Sequence, residues 1–145
     1  MHTNPPDSEL RELLLTTKTV AMVGASSDPD KTSHGIMGAL QKKGYRVIPV
    51  NPRETEVLGE KAYPSLDQIP EPIDIVDVFR RAEETPAIAD QAVAIGARAL
   101  WLQSGIVSEE AADRARRGGL IVVMDACLAT THVLLGLPSR PAPAP

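Results

Sequence analysis

Gly24, Ala25, Ser26 and Ser27 follow a short apolar run and, with Lys31, precede a segment of helical periodicity. That order of residue types can hold an anion. Glycine permits a tight turn, the serines carry hydroxyls, and free amides at a helix start attract phosphate through their aligned dipoles. Lys31 adds a point charge, and Thr32 or Ser33 offers a hydroxyl as helix cap. The glycines do not fit the dinucleotide fingerprint, because none stands between Gly24 and Gly35. A second apolar run ends in Asn51, Pro52 and Arg53. A nicotinamide-binding sheet carries an acidic residue there for the ribose 2′-hydroxyl. Arginine favours a phosphorylated ribose, since its planar fork binds phosphate in bidentate fashion.

Two further loops have polar or charged ends. Val78, Phe79 and Arg80 close a third run, with Arg81 beside them, and Leu102, Gln103, Ser104 and Gly105 close a fourth. Phe79, the only phenylalanine, is placed either against an adenine or as a cap on the core. Cys127, the only cysteine, follows the fifth run. A buried structural thiol is the commoner case, since reactivity needs an electropositive, accessible setting. His2, His34 and His132 are scattered, and no His/Cys/carboxylate cluster has metal spacing. There is no G-x-S-x-G nucleophile elbow. Asp77 lies near a strand end, but Gly24-Ala25 stands where a receiver domain needs acidic residues for Mg²⁺.

The elements that must position these loops are legible. Apolar runs at 19–25, 46–50, 73–79, 99–103 and 120–125, most of them rich in Val and Ile, read as buried strands. Helical periodicity lies between them, with stops at Gly44, Gly96 and Gly118-Gly119. Ser108 followed by Glu109 and Glu110 reads as a helix start. A first helix spans 8–15 and a last about 129–135, and the stretch 58–72 has room for one helical turn near 65–68. Strand–helix alternation implies an α/β, Rossmann-like three-layer fold. Its five-stranded parallel sheet, in expected order 3-2-1-4-5, has helices on both faces. Ligands of such sheets bind at the carboxyl ends of the strands, at the point where strand order reverses.

The chain of 145 residues suits a single domain, with an ordered core at about 8–137 and a Pro-rich tail, 138–145, expected to be disordered. A net charge of −4 argues against general nucleic-acid binding. The N-terminus lacks a signal-peptide pattern and no apolar run spans a bilayer, so the expected compartment is the cytoplasm, without a membrane partner.

The set VGAS at 23–26, YRVIPVNP at 45–52, LGEKAYPSL at 58–66, DIVDVFRR at 74–81, WLQSGI at 101–106 and VVMDAC at 122–127, with His132, resembles the small stand-alone CoA-binding proteins. These are similar to the CoA-binding domain of the succinate–CoA ligase α subunit. The resemblance covers about 8–137. It implies coenzyme A held across the strand ends, with phosphate contacts at Ser26 and Ser27 and a basic contact near Arg53. Further contacts are implied at Val78, Phe79 and Arg80 and at Leu102, Gln103 and Ser104. The ligase loop is shorter and glycine-rich, so nothing transfers to 28–31. The ligase's phosphorylated histidine belongs to another domain, and the resemblance implies binding without catalysis.

Two rival readings use the same residues. One is an NADP-dependent oxidoreductase, which keeps Arg53 but needs an acid/base pair that the sequence does not display. The other is a regulatory or interaction module whose surface responds to CoA. A redox variant, with Cys127 in a mixed disulfide with the CoA thiol, requires Cys127 within reach of the pantetheine end.

Overall fold

A computed structural model describes residues 1–141. Its elements alternate as the apolar periodicity requires: α1 (Asp7–Thr16), β1 (Thr19–Val23), α2 (Thr32–Lys42), β2 (Arg46–Val50), β3 (Glu56–Val57), β4 (Glu60–Lys61), β5 (Ile75–Val78), α3 (Thr85–Ala94), β6 (Ala99–Leu102), α4 (Glu109–Arg117), β7 (Ile121–Val123) and α5 (Leu128–Leu134). A short 3-10 turn, Leu66–Gln68, occupies the expected place near 65–68. Ser108 caps α4, its hydroxyl accepting from the Ala111 amide at 3.1 Å.

Five strands form one parallel sheet, β2-β1-β5-β6-β7. Counting only these, the order is 2-1-3-4-5, which corrects the expected 3-2-1-4-5. β1 pairs with β2 on one side and with β5 on the other. The reason is at the outer edge of β2. Pro49 sits within β2 and cannot donate to a ladder, so the strand belongs at an edge. That edge is then taken by Tyr63, whose amide donates to the Pro49 carbonyl and whose carbonyl accepts from the Asn51 amide. The third long strand therefore pairs with β1, and strand order reverses between β1 and β5.

Side chains alternate across the sheet and build two cores. Val20, Met22, Ile75 and Trp101 pack under α1, α2 and α5. Ala21, Val76, Val78 and Leu100 pack under α3 and α4. The central strands β5 and β6 are buried throughout, as expected for a sheet covered on both faces.

The β3–β4 hairpin was not expected. Its turn, Leu58-Gly59, holds positive φ at both residues (48° and 82°). Such turns are usually announced by Asn-Gly or Asp-Gly, and Leu-Gly hides the signal. Within the tail, Arg140 is anchored. The Arg140 amide donates to Lys43 O at 3.0 Å, and its guanidinium donates to Leu15 O and Thr17 O and lies over the Tyr45 ring. Gly44 makes room for this segment: a Cβ there would lie 2.5 Å from the Arg140 carbonyl oxygen. The expected disorder of 142–145 falls outside the described residues. Among those described, no helix is long and apolar enough to cross a membrane.

Candidate functional site

The carboxyl ends of β2, β1 and β5 open into a cleft of about 920 Å³. That is the size of a cofactor site, and it lies where strand order reverses. Gly24 and Ser26 line it from β1, Asn51, Pro52 and Arg53 from β2, and Phe79 and Arg80 from β5. Lys31 adds its charge at the start of α2. These are the predicted residues that the fold brings together.

The first loop is held from three sides. The Gly24 amide donates to Val50 O at 2.9 Å, the Asn51 side-chain amide donates to Ala25 O at 2.9 Å, and His34 Nδ1 lies 3.0 Å from Ser26 O. The unusual length of the loop is used in local turns. The Asp28 amide donates to Ser26 Oγ, the Asp30 amide to Asp28 Oδ1, and the Lys31 amide to Asp28 O. The segment 28–31 thus closes on itself and delivers the chain into α2.

Thr32 and Ser33 do not cap α2, contrary to expectation. The cap position is Lys31, with no side-chain hydrogen bond and no acidic residue in the first turn. Thr32 and Ser33 instead line the cleft, and among the described residues their amides have no partner. An uncapped helix start facing a cleft is a ready anion site.

The charges are mixed. The Arg53 guanidinium has no hydrogen bond or ion pair among the described residues; only its amide is engaged, donating to Asn51 Oδ1 at 3.0 Å. Arg80 is paired with Glu84 at 2.8 Å. Glu54 accepts from the Ser27 amide at 2.7 Å and from the Ser27 hydroxyl at 3.0 Å. The Ser27 amide, followed by its hydroxyl, holds the Glu54 carboxyl below the usual range. This carboxylate occupies donors that a phosphate oxygen would use. Glu54→Ala is accordingly expected to tighten binding of a phosphorylated ligand by about twofold to fivefold, the range of an exposed ion pair. Side-by-side titrations of the two proteins check this.

Other predicted residues stay out of the cleft. Ala25, Val78 and Leu102 are fully buried in the two cores. Ser27 is turned to Glu54. Gln103 is buried and accepts from the Leu128 amide at 3.2 Å. The Gly105 amide donates to Asp125 Oδ1 at 2.7 Å, and Ser104 is exposed beside it. Several lining residues were not foreseen: Glu54 and Glu84, Pro64 and Ser65 beyond the hairpin, and Ile88 and Gln91 on α3. The helix face was hidden because Ile88 reads as core. The Pro64-Ser65 contribution follows from Tyr63 docking on β2, which periodicity does not announce.

One buried group stands apart. Asp77, on β5 between Met22 and Trp101, is fully buried, and neither carboxyl oxygen has a hydrogen-bond partner. Burial, and then the neighbouring Cys127, pushes its carboxyl well above the usual range. A folded-state value raised above the unfolded one means stability that is present below about pH 4 and is lost as pH rises through the folded value. Asp77→Asn removes that dependence. Its melting temperature relative to wild type is expected to rise between pH 5 and pH 8; a constant difference would contradict the assignment.

The comparisons with known proteins fit this geometry. The family model for the CoA binding domain matches residues 18–133. A Bacillus subtilis (strain 168) protein, YneT, is 44% identical over 131 residues, covering 90% of this chain and 97% of that protein. Acetate–CoA ligase [ADP-forming] II of Archaeoglobus fulgidus is 31% identical over 104 residues, 70% of this chain but only 15% of the ligase. A solved structure of a hypothetical protein from Pyrococcus horikoshii OT3 superposes with a TM-score of 0.87 at 38% identity, covering 93% of this chain and 99% of that one. By the match over 18–133, the chain belongs to the CoA-binding domain family.

Proposed function

We propose that the cleft binds coenzyme A or an acyl-CoA and that the chain, as a single binding domain, performs no catalysis of its own. The observation that carries this is the pairing of an uncapped α2 start with an unpaired Arg53 across the cleft. The diphosphate lies on Ser26 and the Thr32 and Ser33 amides, with Lys31 beside it. The 3′-phosphate lies on Arg53, and the adenine rests near Phe79 and Ile88. Gln103, Ser104 and Gly105 do not line the phosphate cleft. Arg80 is released to the ligand when its exposed pair with Glu84 opens, which costs little.

NADP has a phosphate that Arg53 also fits, so it is the natural competitor. Thermal stabilisation with each ligand at equal concentration separates them, because stabilisation grows with the logarithm of ligand concentration over Kd. Coenzyme A is expected to raise the melting temperature more than NADP does. The reverse order would turn the reading toward the oxidoreductase.

A further inference from the structure

Asn51 lines the cleft, yet both polar atoms of its side chain are bonded to backbone. The side-chain nitrogen donates to Ala25 O at 2.9 Å, in the loop after β1. Oδ1 accepts from the Arg53 amide at 3.0 Å. The main-chain groups are engaged as well. The Asn51 amide donates to Tyr63 O at 2.9 Å, and the Asn51 carbonyl accepts from the Glu54 amide at 3.2 Å. One residue thus ties together the β1 loop, the turn that carries Arg53 and the segment that borders β2.

The residue types suit this. An asparagine carbonyl readily accepts from the amide two residues on, which shapes a turn. Pro52 has no N–H to satisfy, and its fixed φ fits the second place of that turn. Reaching Ala25 O at the same time needs a donor on the same short side chain. Asparagine supplies donor and acceptor together; aspartate lacks the donor and serine the length.

The bridge joins groups with different tasks. On one side stand Gly24 to Ser26, leading to the open amides of α2. On the other stands Arg53, whose guanidinium makes no hydrogen bond or ion pair among the described residues. A ligand with two phosphate groups at a set separation needs its two subsites held to within about 0.5 Å. We infer that Asn51 is a positioning residue, which fixes the separation of the diphosphate and 3′-phosphate subsites and so sets the preference of the cleft for the 3′-phosphorylated ribose. This rests on the cleft binding coenzyme A. Asn51 acts through the Ala25 carbonyl and the Arg53 amide, and the Arg53 guanidinium makes the contact with phosphate.

Calorimetric titration of wild type and variants with coenzyme A and dephospho-CoA tests this. Asn51→Ala removes both side-chain bonds but keeps the main-chain bonds from Gly24 to Val50 and from Asn51 to Tyr63. It is expected to weaken coenzyme A about thirtyfold and dephospho-CoA about threefold, so the preference for the 3′-phosphate falls about tenfold. Asn51→Ser keeps an oxygen for the Arg53 amide and loses only the reach to Ala25 O. It is expected to weaken both ligands about threefold and to hold the preference within about twofold of wild type. In the Arg53→Ala background, adding Asn51→Ala is expected to leave the residual preference unchanged, because the effect passes through Arg53. A merely structural role predicts equal losses for both ligands in Asn51→Ala. That result, with wild type still binding coenzyme A, overturns the inference and leaves the binding function standing. A serine variant that loses the preference overturns it as well, and decides the matter alone if Asn51→Ala does not fold. A further fall in preference in the Arg53→Ala background also overturns it. If wild type does not bind coenzyme A, both readings fall together.

Discussion

Replacing Gly24 by alanine is expected to lower the melting temperature by about 5–10 °C and to abolish measurable ligand binding. Gly24 has φ of +92°, and a Cβ there would stand 2.6 Å from the Phe79 carbonyl oxygen. A side chain in the left-handed region costs about 1–2 kcal/mol, and forcing a backbone carbonyl aside adds about 1–3 kcal/mol. Neither cost is relieved locally. The Gly24 amide is tied to Val50 O and the Phe79 amide to Val23 O, so all three strands at the order reversal must move together. Calorimetric unfolding of the variant checks the stability term. A variant that melts within about 1 °C of wild type would show that the β1 and β5 ends are not in this close contact.

The second large effect is selective. Arg53→Ala is expected to weaken coenzyme A by about tenfold to a hundredfold, the loss of charge-assisted hydrogen bonds to one phosphate. Dephospho-CoA, which lacks that phosphate, should lose less than about threefold. The stability of the free protein should not change, because the guanidinium makes no hydrogen bond or ion pair among the described residues. Paired titrations of both ligands against both proteins give the answer. Equal losses would move the 3′-phosphate elsewhere, with Lys31 and Arg80 the remaining cations at the cleft.

Local chemistry made much of this fold legible. The five short apolar runs located all five strands of the sheet, and Ser108 with its two following glutamates marked the start of α4. The strand order was also written in the sequence, in a residue that periodicity ignores. Pro49 inside YRVIPVNP requires an edge strand, and order 3-2-1-4-5 would have buried it in the middle of a ladder. The hairpin was missed because Leu58 adopts a left-handed φ with no local advertisement.

The site divides in the same way. Residues directly after β1, β2 and β5 line one cleft because a parallel sheet delivers its strand ends to one rim. Ser27 and Gln103 carried the right chemistry but were claimed by other partners, Glu54 and Leu128. No residue-type pattern foretells that competition, because it depends on which side chains tertiary packing brings near. Asp77 shows the opposite limit. As sequence it is one of two aspartates in DIVDVF, and its meaning comes only from complete burial without a partner.

The central claim is that the cleft between β1, β2 and β5 is a coenzyme A site. Isothermal titration calorimetry of the full chain with reduced coenzyme A tests it most directly. Saturable heat is expected, with one site per chain and a Kd on the order of micromolar or tighter, and NADP at least about tenfold weaker. The absence of heat with coenzyme A at millimolar concentration would contradict it.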